Sequence, residues 1–212
     1  MALKFSVGGQ FENPEPGSYI ARCYGFIDIG SQPHPGFQGK PGWISRDCRI
    51  NFELPLALMT GKYHAESRGR PYMVSMTLKQ SLAPTSKMRK MLKGWRGRDF
   101  TPEELQAYVP RKMVGVPCRL TLVENGDFVN IEGISRLAAG ETCPPQVNPP
   151  IYFSLDPDEF DAATMHDLGE KTQEKIAASP EYAELMAPKK PEPTEAGTEM
   201  PDEAFSGDGV PF

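Results

Sequence analysis

The sequence predicts a mainly β fold: five short strands, a helical insertion between the third and fourth, and further helices toward the C-terminal end. Three observations carry this. Apolar and polar residues alternate in five separate stretches. A 3.6-residue apolar period replaces that alternation only at 85–96 and beyond 156. Asn125-Gly126 sits between the last two alternating stretches, and that dipeptide favours a tight hairpin turn.

The first strand runs from Gly17 to Ile29, with Tyr19, Ala21 and Cys23 on one face and Ile20, Arg22 and Tyr24 on the other. Residues 30–43 hold four Gly and three Pro with Phe37 and Trp43, which marks a long exposed loop whose two large rings have little core available. The second strand, Ile44 to Leu54, turns Cys48, Ile50, Phe52 and Leu54 inward and Arg49, Asn51 and Glu53 outward. A second long connection, 55–70, ends in the basic and aromatic run Tyr63 to Arg70. Tyr72, Val74, Met76 and Leu78 then define the third strand, in which Tyr72 can point to either face.

Met88, Met91, Leu92 and Trp95 recur at helical spacing over 85–96. Thr101-Pro102-Glu103-Glu104 combines an N-cap residue, Pro at the first helical position and Glu three residues after the cap, so a second short helix starts there. Val116, Cys118, Leu120 and Leu122 give the fourth strand, and Phe128 to Ile134 the fifth. Residues 140–153, with four prolines, leave the strands. From Asp156 to Met186 the pattern is helical, with another cap and helix start at Ser179-Pro180-Glu181. These last helices either pack on the strands or serve self-association.

Three strands, a helical insertion and two strands is the chain order of the OB-fold, a five-stranded Greek-key barrel that binds oligonucleotides on the face of strands two and three and with neighbouring loops. A plain β-sandwich or another small barrel permits the same spacing. The division expected is an OB-like single-strand-binding domain over 1–140, a Pro-rich linker with C-terminal helices over 141–187, and a disordered acidic partner-binding tail over 188–212.

Net charge is -5, but its distribution matters more than its sum. Residues 1–150 carry 19 Lys and Arg against 13 Asp and Glu, whereas 151–212 carry 4 against 15. A basic body suited to a polyanion is joined to an acidic extension that can compete for the same surface. Between Lys62 and Arg98 lie ten basic side chains and one acid, Glu66. Arg68, Arg70 and Lys79 come from the second connection and third strand. Lys87, Arg89, Lys90, Lys93, Arg96 and Arg98 come from the helical insertion, opposite its apolar side. The rings of Phe37, Trp43, Tyr63, Tyr72 and Trp95 interleave with these charges. Rings that stack on bases beside cations that track phosphates are the ingredients of sequence-independent single-strand binding. Trp43, ending a Gly/Pro loop, is assigned to stacking; Trp95, at helical spacing from Met88, Met91 and Leu92, is assigned to the core.

From Pro191 to Phe212 there are six acids, four prolines and no Lys or Arg, too little apolar surface to offset chain entropy. The segment closes on Asp208, Gly209, Val210, Pro211 and Phe212. In this it resembles the tail of bacterial and phage single-stranded-DNA-binding proteins, which end in acidic residues, a short apolar step, Pro and Phe. The matching residues are Asp208, Val210, Pro211 and Phe212; Ser206, Gly207 and Gly209 interrupt the acidic run, and the body carries no family motif. The resemblance implies a non-enzymatic protein of DNA replication, recombination and repair, phage-encoded or bacterial, whose tail recruits replication or recombination enzymes by offering a ring and a carboxylate.

Other chemistry has little support. Cys23, Cys48, Cys118 and Cys143 are far apart, as are His34, His64 and His166, so neither a zinc site nor a cofactor is expected. Cys23, Cys48 and Cys118 read as buried free thiols. No phosphate-binding Gly loop, His-Glu-x-x-His or nucleophile elbow occurs. The acidic run Asp156, Asp158, Glu159 and Asp161 reads as the first turn of a helix, with a divalent-metal nuclease site as its rival. Without a signal peptide or an apolar run near eighteen residues, a soluble protein of a reducing cytoplasm is expected, with no membrane partner. RNA- or duplex-binding modules and a protein that merely imitates the tail remain open.

Overall fold

The computed structural model describes residues 12–36, 39, 41–126 and 128–187. Among them, β1 (Gly17–His34), β2 (Trp43–Leu58), β3 (Pro71–Lys79), β4 (Pro117–Asn125), β5 (Phe128–Ser135) and β6 (Ile151–Phe153) form one sheet. Its path runs β3-β2-β1-β4-β5. All of these pairs are antiparallel, and β6 lies parallel to β1. The helices are α1 (Lys87–Arg96), α2 (Pro102–Gln106), α3 (Ala162–His166), α4 (Glu170–Ala177) and α5 (Pro180–Met186).

β1 is the axis of the sheet. Along one edge it pairs with β2 from Arg22 to His34; along the other, Gly17 to Arg22 pair with β4 and Gly25 to Ile27 with β6. The register shifts between Cys23 and Gly25, and a bulge there moves the next side chains to the opposite face, up to a second shift between Asp28 and Gly30. Ala21, Cys23 and then Phe26 therefore enter the main core, while Ile27 and Ile29 point to a second core on the other side. The clean period-2 pattern expected for the first strand holds only up to this bulge.

The main core joins Ile50, Phe52 and Leu54 of β2 with Leu120 and Leu122 of β4 and with Met88, Met91, Leu92 and Trp95 of α1. Ser86 caps α1 by accepting from the Arg89 N–H at 3.1 Å, and Gly97 ends it in the left-handed region at φ 74°. Trp95 is buried, as assigned, and its indole N–H donates to the Pro117 carbonyl at 2.8 Å. Gly94 is where α1 meets β5: a Cβ there would lie 2.4 Å from the Ile134 carbonyl oxygen. α2 begins with the capping box read from the sequence, Thr101 and Glu104 each serving the other's backbone N–H. Cys23, Cys48 and Cys118 are buried; burial pushes the Cys23 and Cys48 thiols up to about 12 and raises Cys118 as well.

The C-terminal region corrects the expectation that 140–153 leaves the strands. Ile151–Phe153 returns to the sheet as β6, because Ile151 and Phe153 can join the second core beside Ile27 and Ile29. Leu155, Leu168, Ile176 and Tyr182 complete that core, so the late helices pack on their own sheet. Two carboxylates pin the layer. Glu53, fully buried on the outer side of β2, accepts from Val147 N at 2.9 Å, Asn148 N at 2.8 Å and Asn148 Nδ2 at 2.7 Å. Asp28 of β1 accepts from Gly30 N, Arg46, Gln80 and Leu155 N, tying together β1, β2, the end of β3 and the start of the layer. Ser179 caps α5 against Gly30, where a Cβ would lie 2.4 Å from the Ser179 Cβ.

Glu53→Gln would put an amide donor where three N–H groups now converge. Chemical denaturation of this variant is expected to show a loss of about 1–3 kcal/mol; an unchanged midpoint would show that the Glu53 contacts do not hold the layer. In a native thiol assay Cys143, half-buried, should react first, with the other three protected until unfolding.

Candidate nucleic-acid interface

The residues expected to bind nucleic acid fall into three groups. At one end of the β2–β3 ribbon, Trp43 opens β2 and pairs in register with His34, the last residue of β1. The two rings stack with centroids 4.9 Å apart and planes 8° from parallel. His34 Nε2 lies 3.0 Å from Asp47 Oδ2 and 3.0 Å from Ser45 Oγ, and Ser45 donates to Asp47 Oδ1 at 2.9 Å. A buried carboxylate thus fixes the imidazole, and the imidazole fixes one face of an indole that remains 52% exposed. Lys79, exposed, stands at the same end, opposite Asp47 in register. Phe37 lies outside the described residues.

Tyr63, Arg68, Arg70 and Tyr72 gather at the other end. From Tyr72 to Lys79 the strand advances seven residues, roughly 23 Å, so the ribbon separates the two groups. Tyr63 is exposed, with the Lys62 ammonium 5.0 Å from its ring centroid. It shares a cavity of about 500 Å³ with Met59, Met73 and Phe128. Arg68 Nε donates to the Thr60 carbonyl at 3.2 Å, and Arg70 is exposed. Tyr72 is half-buried against the main core, and its hydroxyl donates to Glu12 Oε1 at 2.6 Å. Glu12 also accepts from the backbone N–H groups of Thr60, Gly61 and Lys62. The Tyr72 hydroxyl and these amides hold the Glu12 carboxyl down to about 2.

The third group is α1 and the turn after it. Lys87, Lys90 and Lys93 are exposed on the helix. The Arg89 guanidinium pairs with Asp99 at 3.0 Å and Lys93 with the same carboxylate at 3.8 Å; Arg96 and Arg98 share Glu104 at 2.7 and 2.5 Å. Arg96 also lies 4.0 Å over the Phe100 ring. Lys87, Lys90, Lys79, Arg68 and Arg70 make no ion pair among the described residues.

Sequence reasoning passed over three members of these ends: His34, which orients Trp43, and Met73 and Phe128, 53% and 63% exposed. Phe128 had a signal, since an aromatic two residues past Asn125-Gly126 sits at a hairpin tip where core is scarce. Asp161 accepts from Ala163 N and Thr164 N as the N-cap of α3, and Asp158 N donates to Asp156 Oδ1; these carboxylates organise the chain locally. Among the described residues no group of three His, Cys, Asp or Glu is placed to hold a metal ion, and no helix is long and apolar enough to cross a membrane. The tail residues Asp208, Val210, Pro211 and Phe212 lie outside the described residues.

Comparison with protein-family models, curated proteins and solved structures found no match in any of the three. The reading therefore rests on this chain's own residues.

With one tryptophan exposed and the other buried, acrylamide is expected to quench a red-shifted emission component that Trp43→Phe removes. If that variant left the quenchable component in place, the Trp43 ring would be packed rather than presented.

Proposed function

We propose that the protein binds single-stranded DNA without sequence preference and performs no reaction on it. The observation that carries this reading is the exposure of Trp43, Tyr63 and Phe128 on a surface that also presents Lys79, Arg68 and Arg70, which make no ion pair among the described residues. Trp43 adds pre-organisation, because an indole already oriented by His34 loses little freedom on stacking with a base. The strand path supports an OB-like barrel: with the order β3-β2-β1-β4-β5, closure would join β3 to β5, and α1 packs against both. In that arrangement the face of β2 and β3 and the loops at their ends carry the strand. The acidic segment 191–212, through Asp208, Val210, Pro211 and Phe212, serves replication or recombination enzymes as a docking element.

A salt-dependent titration with oligothymidine, followed by tryptophan fluorescence, tests the reading. Quenching should come from Trp43. The logarithm of affinity should fall linearly against that of salt, by roughly 0.7 for each cation that neutralises a phosphate. Trp43→Ala should cost about 1–3 kcal/mol, roughly 5- to 150-fold. Absence of binding in dilute buffer would end the proposal. RNA and duplex of equal length, added as competitors, separate this reading from RNA- or duplex-binding modules. Deleting residues 203–212 should leave single-strand affinity unchanged or raise it at low salt; a large loss would contradict a competing tail.

A further inference from the structure

We infer that a notch on the outer face of the sheet, floored by Arg49 and Asn51 and walled by the C-terminal layer, holds one unpaired nucleotide. This rests on the single-strand reading above and gives it a specific subsite. Arg49 and Asn51 stand on the side of β2 facing away from the main core, next to Glu53. Glu53 is consumed by residues 147 and 148, but the two residues before it on that face are left with unused capacity.

The Arg49 guanidinium is half-buried and meets only neutral groups: Asn51 Oδ1 at 3.2 Å, Thr172 Oγ1 at 3.4 Å and Ser75 Oγ at 2.9 Å. No ion pair to it occurs among the described residues. Asn51 is only 8% exposed. Its carbonyl oxygen is committed to Arg49 Nε, which also sets the orientation of the amide. Its Nδ2, which lines the cavity, meets no acceptor among the described residues and is open to water or to a ligand. The floor therefore offers a cation and an amide donor to a group that is anionic and rich in acceptors.

Above that floor is a cavity of about 430 Å³, within the range of small-ligand sites. Tyr24, Ile27, Ile151 and Leu168 give it apolar sides, and the exposed Met73 thioether stands at its mouth, accepting from the Tyr24 hydroxyl at 3.5 Å. A base can lie against Met73 and these sides while its phosphate or carbonyl oxygens reach Arg49 and Asn51. One wall belongs to the sheet and the other to the Asn148–Ile151 and Asp167–Thr172 segments, so the notch admits a base freed from its partner. Duplex, whose bases stay stacked inside, presents no such face. The one carboxylate on the lining is Asp167, 87% exposed at the rim, which opposes a phosphate.

The test is oligothymidine titration of the full chain at several salt concentrations, with four variants. Arg49→Met should weaken binding about tenfold, the worth of a charge-assisted hydrogen bond, and make the salt slope shallower by about 0.7; Arg49→Lys should restore the slope. Met73→Glu, at an exposed position, should weaken binding with the thermal midpoint unchanged. Asp167→Asn should strengthen it. Duplex of equal length should fail to displace oligothymidine from the wild-type chain. If the wild-type chain binds oligothymidine but Met73→Glu and Asp167→Asn bind as it does, the notch is empty in the complex and the subsite is wrong, while the single-strand reading stands. Equal competition by duplex overturns the selectivity. If the wild-type chain ignores oligothymidine, the single-strand reading itself falls.

Discussion

β1 has to serve two cores at once, and the rest of the architecture follows from how it does so. A strand with strict alternation offers one face to each side, but the bulge at Tyr24 changes which residues those are. Ahead of it Ala21 and Cys23 feed the main core; beyond it Phe26 continues there while Ile27 and Ile29 face the C-terminal layer. The same irregularity marks the point where the free edge of β1 stops pairing with β4 and starts pairing with β6. Asp28 and Glu53 can be buried there because backbone N–H groups and Arg46 satisfy them; a carboxylate without such partners would not be tolerated at that depth.

Burying the outer face of β1 and part of β2 leaves β3, the ends of the β2–β3 ribbon and the notch beside Met73 as the accessible part of this side. Polar groups are distributed accordingly. Where the chain holds itself together, cations and carboxylates meet: Arg46 with Asp28, Arg89 with Asp99, Arg96 and Arg98 with Glu104. Where rings are exposed, at Trp43 and Tyr63, Lys79, Arg68 and Arg70 make no ion pair among the described residues, and in the notch the Arg49 guanidinium hydrogen-bonds to neutral groups. Most of the α1 cations serve the first purpose. The two acids that neutralise them, Asp99 and Glu104, lie just beyond the basic stretch.

Much of this was legible in the sequence. The five main strands, the amphipathic α1, the caps at Thr101 and Ser179, the Asn125-Gly126 hairpin, the buried Trp95 and the three buried thiols all follow from local periodicity and local hydrogen-bonding chemistry, which short stretches of chain express by themselves. β6 was not legible: three residues after a run of prolines have no period to detect. The extra lengths of β1 and β2, which reach His34 and Trp43, were hidden by glycines and prolines that a bulged, twisted ribbon accommodates. Glu53 read as an outward side chain, and so it is, but outward on this strand means under a second layer.

Sequence alone therefore determined the five main strands, α1 and the caps, and most of the residues they turn toward the main core, because alternation and helical spacing are properties of neighbouring positions. Tertiary structure alone decided what covers the far side of the sheet, which cations are already spoken for, and that His34 stands under Trp43 while Arg49 and Asn51 floor a notch. Those outcomes depend on segments separated by tens to more than a hundred residues, such as Glu53 and Asn148 or Arg49 and Thr172. No local pattern encodes such meetings; they arise when buried polar groups must find partners across the fold.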